Sequence, residues 1–180
     1  MIIKTFIKGK NIQLRSVKIS DAEFILSLRL NPELNKHLNS TSPDLEAQKN
    51  WIEKQRNREQ DYYFIIEGFN GIPLGTVSVY EINDSEKTFN WGRWIIVKDS
   101  PFYIAIESTI LVYNFAFNIL NLQKAISEVR IENKNVIKFH LSYGSEIYKK
   151  DDQNIYYTFD REYFPKLLKM FRSMHNLEIK

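Results

Sequence analysis

The residues best equipped for proton chemistry lie between positions 80 and 144. His140 is followed closely by Tyr143. An imidazole with an ordinary pKa of about 6.5 is partly protonated at neutral pH and can donate a proton, and Tyr143 is a second donor. A lone histidine on a helix equally fits a surface or a satisfied buried position. Tyr80 and Glu81 stand near the end of a strand, where Glu81 can act as a base directly or through water. Strand alternation turns only one of that pair inward. Between these groups, Ser100-Pro101 signals a helix start. The first turn of such a helix offers amides without intrahelical acceptors, and a partial positive charge, to an anion such as a phosphate. Nearly every helix has such a start, so a plain cap is the alternative. Glu107, further into that helix, fits a buried structural role better than catalysis.

The elements that must position these groups follow in order. Asn90 to Val97 is an apolar and aromatic run with strand character, ending in the loop Lys98-Asp99-Ser100-Pro101. A helix is predicted over Phe102 to Leu120 and a strand over Lys124 to Arg130. Glu132-Asn133 then opens a helix that carries His140 and stops at Gly144, with Asn133 well suited to be its N-cap. Upstream, Asn11 to Val17 alternates as a strand. Ser20 to Glu23 reads as a capping box with Ser20 as N-cap, opening a helix that ends near Asn31-Pro32. A polar loop from His37 to Thr41 leads to a second helix beginning at Ser42-Pro43. Asp61 to Glu67 and Leu74 to Ile82 form a hairpin about Asn70-Gly71, and a turn at Asn83-Asp84-Ser85 returns the chain into the strand ending at Val97. Asn154 to Phe159 is a last strand, before a closing helix.

Antiparallel hairpins feeding a strand-helix-strand crossover imply an α/β (α+β) fold with a mixed, mostly antiparallel central sheet flanked by helices. Neither repeat nor linker interrupts it, so residues 1–180 read as a single domain. Mixed sheets bind ligands where strand direction changes, which puts the expected cleft beside the strand ending at Val97. With 43% apolar and 26% charged residues the composition is that of a globular protein. Zero cysteines exclude disulfides, thiolate metal sites and cysteine nucleophiles together, and no metal site is expected. The net charge of +3 is spread along the chain without a Lys/Arg run, which argues against a nucleic-acid partner. No uninterrupted apolar run of spanning length and no signal peptide is read, so no membrane partner is expected and the cytoplasm is the default.

The ordered set of short motifs resembles the GNAT superfamily of N-acetyltransferases, closest to the branch of ribosomal-protein and aminosugar acetyltransferases. The resemblance runs through Leu14-Arg15, Asp21-Ala22, Pro73-Leu74-Gly75-Thr76, Trp94 to Val97, Ala105-Ile106-Glu107-Ser108, Phe115-Ala116-Phe117, Glu132-Asn133, and Ile137-Lys138-Phe139-His140 with Gly144. It implies acetyl transfer from acetyl-CoA to an amine by direct attack. It places carbonyl-polarising amides at Ile95, Ile96 and Val97, a pyrophosphate-binding helix start over Ser100 to Ala105 (Tyr103, Ile104 and Ala105 included), and a pantetheine contact at Asn133. It puts His140 where many members carry a tyrosine that protonates the departing thiolate. Arg29, Asn39 and Tyr80 fall on the acceptor side. The pyrophosphate loop departs from the family pattern, since Tyr103 stands where a glycine is usual and glycine permits close backbone approach.

From those roles the resemblance implies an acetyl-CoA-dependent N-acetyltransferase, and the expected acceptor is the primary amine of a small molecule such as an aminosugar or nucleotide sugar, with the chain a monomer or homodimer. The alternatives are acetylation of a protein N-terminus or lysine, and a non-catalytic CoA-binding protein of the same fold. A closed cleft with aromatic walls distinguishes a sugar acceptor, whereas an acidic groove distinguishes a basic peptide.

Overall fold

The computed structural model describes residues 1–3 and 5–172. Its centre is an eight-stranded sheet in the order β1-β2-β3-β4-β5-β6-β8-β7. The strands are β1 (Ile7–Lys8), β2 (Ile12–Ser16), β3 (Tyr62–Gly68), β4 (Pro73–Asn83), β5 (Thr88–Ile96), β6 (Lys124–Arg130), β7 (Glu146–Lys150) and β8 (Asn154–Asp160). Every neighbouring pair is antiparallel except β5 and β6, which are parallel. The mixed sheet expected from the hairpins and the crossover is therefore present. The Asn70-Gly71 turn is in place, with Gly71 in the left-handed region at φ 79°. Asn83 closes the next turn by accepting hydrogen bonds from the amides of Ser85 and Glu86.

Helices cover the sheet. They are α1 (Ala22–Leu30), α2 (Leu45–Arg56), α3 (Phe102–Asn114), α4 (Lys134–Ser142) and α5 (Phe164–Met170). The main core lies where α3 crosses the sheet, joining Leu14, Phe64, Val77, Phe89, Ile110, Tyr113, Phe117 and Phe159. A smaller cluster of Val17, Ile25, Ile52, Tyr63 and Ile65 fixes α1 and α2 against the opposite face. α3 runs on as a π-helical turn over Phe115–Ile119, so the predicted single helix has a change of pitch. The stretch Phe102–Ile119 is long and apolar enough to cross a membrane by length and composition, and 67% of it is buried inside the molecule. Sheet-facing burial accounts for its apolarity.

Helix starts correct the sequence expectations in detail. A short 3-10 turn, Ile19–Asp21, precedes α1, and Asp21 rather than Ser20 holds the corner. Its carboxylate accepts from the Lys18 amide at 2.7 Å and binds both Arg15 terminal nitrogens at 2.7 and 2.8 Å. Arg15 also donates to Glu67 at 2.6 Å, so one guanidinium ties β2 to β3 and to the start of α1. α2 is capped by Asp44, which accepts from Glu46 and Ala47, and Pro43 precedes the cap. Glu107 is fully buried in α3 and accepts hydrogen bonds from the Asn11 amide and side chain at 2.8 and 2.9 Å. That carboxylate anchors α3 to the start of β2, the structural role read for it. The strands β1 and β7 were not legible in the sequence: β1 is two residues long and β7 is exposed throughout.

Candidate active site

β5 and β6 pair only over Thr88–Asn90 against Lys124–Ile126. Beyond that the two strands part, and a cleft of about 610 Å³ opens between Trp91–Ile96 on one side and Ser127–Arg130 on the other. This is the strand-direction switch where the sequence placed a ligand. A bulge shapes the β5 wall: Ser78 of β4 faces Gly92 while Thr76 faces Ile95, leaving extra β5 residues in between. Arg93 in that bulge sits at φ 48°, and its carbonyl accepts from the Thr76 hydroxyl at 2.7 Å. Gly75 permits the close approach here, since a Cβ on it would lie 2.3 Å from the Ile95 carbonyl oxygen.

The amides of this wall sort by ladder geometry. The Val97 amide donates to the Leu74 carbonyl at 2.9 Å and so is taken up by the sheet. Antiparallel alternation turns the Ile96 amide the other way, toward the side vacated by β6, and Ile95 back toward β4. Of the three residues expected to present amides, Ile96 is the one whose N–H faces the opening. Ile95 and Ile96 both line the cleft.

On the far wall, His140 lines the cleft and is only 2% exposed. Its ring stacks on Tyr157 at 5.1 Å between centroids and lies 5.4 Å from Trp91. Nδ1 shares a 2.9 Å hydrogen bond with the Tyr143 hydroxyl, which in turn lies 3.2 Å from the Tyr113 hydroxyl. Burial lowers the His140 pKa to about 4, and raises that of Tyr143 well above its ordinary value. His140 is therefore a neutral imidazole at neutral pH, not the partly charged one that an ordinary pKa implies. Tyr143 is buried behind it and is not a cleft-lining residue.

Asn133 caps α4, accepting from the Val136 amide, and also lines the cleft. α3 begins at Phe102, as predicted, with Pro101 as its N-cap and no side-chain cap bond. The Ile104 amide bonds to the Pro101 carbonyl at 3.0 Å. The first-turn amides of Phe102 and Tyr103 precede any helical acceptor. The Tyr103 side chain turns outward, 37% exposed, and does not line the cleft. Ser100 and Ala105 stand outside the cleft lining as well.

On the acceptor side, Arg29, Asn39 and Tyr80 all line the cleft. Arg29 donates to the Thr41 hydroxyl at 2.6 Å and to the Asn39 carbonyl at 3.2 Å, which fixes the loop between α1 and α2. Glu81 is not brought to the cleft. Its backbone is left-handed at φ 50°, which breaks strand alternation, and its exposed carboxylate is held by the Asn90 side chain. The sequence reading missed Arg93, an arginine within an apolar strand. Its guanidinium binds Asp61 at 2.6 and 3.1 Å and lies 4.6 Å from the Tyr80 ring centroid. A charge between Trp91 and Trp94 was the available signal. Asp61, far away in sequence, gave none.

The acetyltransferase (GNAT) domain family model matches residues 11–146. A solved structure described as apo FdhC, a nucleotide-linked sugar GNAT, is 35% identical, with a TM-score of 0.86 over 96% of this chain and 99% of that one. Spermidine N-acetyltransferase from Vibrio cholerae in complex with CoA and spermine is 17% identical, with a TM-score of 0.76 over 86% of this chain and 98% of that one. At that identity the likeness is one of fold. No curated protein matches the chain. Residues 11–146, the splayed β5–β6 pair and the whole-chain likeness lead to one conclusion: this chain belongs to the GNAT acetyltransferase family, and is an acyltransferase with acetyl-CoA as its acetyl donor.

Proposed function

We propose that the chain N-acetylates the primary amine of a small amino sugar, in particular a nucleotide-linked one, by direct attack of the amine. The observation that carries this reading is the character of the cleft. Its walls combine Tyr80, Trp91 and Trp94 with Arg29, Arg93 and Arg130, and Glu128 is the one carboxylate lining it among the described residues. Aromatic faces suit the apolar side of a sugar ring, and arginines suit phosphate. A polyamine or a basic peptide would need the opposite charge. The 35% identity to a nucleotide-linked sugar GNAT across 96% of the chain supports the same class.

The residues present fit the donor. Acetyl-CoA supplies an acetyl group activated as a thioester, together with a pyrophosphate that needs N–H donors. Ile96 faces its amide into the opening, where it polarises a carbonyl. The first-turn amides of α3 are available because Tyr103 turns its ring outward and leaves the backbone accessible. Asn133, on the cleft wall, meets the arm between those two points.

His140 then serves as the proton source for the departing sulfur. The Tyr143 hydroxyl donates to Nδ1, which leaves the proton on Nε2 for the cleft side. The proton that Nε2 gives to the departing thiolate is made good by the one the amine loses on attack, so the imidazole stays neutral overall and Tyr143, whose pKa burial raises, keeps its own proton and orients the ring. Tyr143 thus acts through His140 and not on the substrate.

The test is a thiol-release assay with acetyl-CoA and a panel of acceptors: UDP- and dTDP-linked amino sugars, the free amino sugars, spermidine and a lysine peptide. The highest kcat/KM is expected on a nucleotide-linked amino sugar. A preference for spermidine or for the peptide would overturn the reading.

A further inference from the structure

We infer that the acceptor site has a second chamber for the nucleoside diphosphate part of its substrate, with Arg29 and Arg93 holding the phosphates at the neck; this rests on the nucleotide-linked amino sugar reading above. A cavity of about 390 Å³ lies beside the 610 Å³ cleft, and Arg29, Asn39 and Arg93 belong to the walls of both. Each volume lies in the roughly 300–1,000 Å³ range of small-molecule sites, so each chamber takes a substantial piece of ligand. The three shared residues include two arginines and no carboxylate; Arg93 is paired with Asp61, so the net positive charge at the neck is that of Arg29. An anionic linker suits such a neck, and a cationic one does not.

Arg93 is the partition itself. Its guanidinium lies 5.5 Å from the Trp51 ring centroid and 4.6 Å from that of Tyr80. Trp51 lines the second chamber and Tyr80 lines the main cleft. The pair with Asp61 holds the partition rigid, and a weaker contact at 3.4 Å reaches the Ser78 hydroxyl. These bonds use three of the five guanidinium donors, leaving two. Arg29 uses two, on Thr41 and the Asn39 carbonyl, leaving three. Both side chains are thus anchored by one part and open at another, the arrangement of a phosphate clamp whose geometry is set before the ligand arrives. Beyond the neck, the aromatic surface of Trp51 and the hydroxyls of the Ser40–Ser42 loop suit a nucleobase and a ribose.

The division of labour follows. The amine of the sugar stands in the main cleft near His140, and the nucleotide is sequestered on the far side of Arg93. Affinity comes from the second chamber, while the chemistry stays in the first.

The experiment is isothermal titration of UDP and dTDP into the protein, with and without saturating acetyl-CoA. Because acetyl-CoA itself carries a diphosphate on a nucleoside, the ternary arm is decisive. The expected result is binding of a nucleoside diphosphate that persists when acetyl-CoA is saturating. Arg29→Gln should weaken it about tenfold, as loss of a charge-assisted hydrogen bond does, with acetyl-CoA affinity unchanged. Arg29→Lys, which keeps the charge, should restore part of the loss and serves as the folding control. Displacement of the nucleotide by acetyl-CoA, absence of binding, or equal affinity in Arg29→Gln would each overturn the second chamber. Turnover on sugar nucleotides without nucleoside diphosphate binding would do so while sparing the proposed function. Nucleotide binding as described, with no amino sugar acetylated, would overturn the proposed function instead.

Discussion

His140 is the residue at which burial decides the chemistry. The sequence placed it on the right helix, but an ordinary histidine pKa would have left it partly charged at neutral pH. Enclosure by Trp91 and Tyr157 lowers that pKa to about 4, so the imidazole is neutral across the physiological range. Two outcomes follow. Between pH 6 and 8, kcat should show no titration belonging to His140, and His140→Phe should lower kcat by at least tenfold while acetyl-CoA affinity stays within about threefold. Stability should behave differently. The unfolded chain binds a proton at about 6.5 and the folded one near 4, so folding is favoured above 6.5 and loses about 3 kcal/mol as pH falls from 6.5 to 4. Urea melts across that window should show the slope in the native protein and a flatter one in His140→Phe. A native slope that matches the variant's would show that the histidine is charged in the folded state.

At the scale of elements, β4 and β5 show how a glycine sets the site. A methyl group on Gly75 would meet the Ile95 carbonyl oxygen at 2.3 Å, so Gly75→Ala must push the strands apart opposite Ile95 and Ile96. It is expected to destabilise by about 1–3 kcal/mol and to weaken acetyl-CoA binding in parallel, read by thermal melts and titration calorimetry. An unaffected donor affinity would separate the bulge from the binding wall. The same strands show what sequence could reveal. Alternation, turn residues and the order of elements gave β2 to β6, β8 and the crossover, because these depend on local pattern. The β7 edge escaped because it is exposed throughout and carries no alternating burial. The β5 bulge escaped because a left-handed arginine leaves no signature in composition. So did the Arg93–Asp61 pair, whose partners are 32 residues apart and meet only through the sheet. Asn133, His140 and Tyr80 were legible as cleft residues. Glu81 was not excluded in advance, because its reversed φ is set by the turn and not by its neighbours.

For the whole molecule, donor binding should be visible as added stability. Free acetyl-CoA at about 100 times its Kd contributes about 2.7 kcal/mol, equivalent to a Tm rise of roughly 5–10 °C for a chain of this size. A folded protein with an unchanged Tm at millimolar acetyl-CoA would contradict the assignment of the α3 start and the β5 wall. The sheet makes such coupling reasonable. Strands β1 to β5 carry the Arg93 side of the site, and β6 with β8 and α4 carries the His140 side. Within the sheet only three residue pairs, Thr88 to Asn90 against Lys124 to Ile126, join β5 to β6, while beneath it Tyr113 and Phe117 pack against Phe159 of β8 and tie the halves together. The place where the backbone gives up its own hydrogen bonds is therefore also the short ladder between the two walls of the site. On the proposed reading, a donor lying in that seam takes up an amide that the ladder leaves unpaired, and so joins edge to edge two walls that are otherwise held together by their shared core.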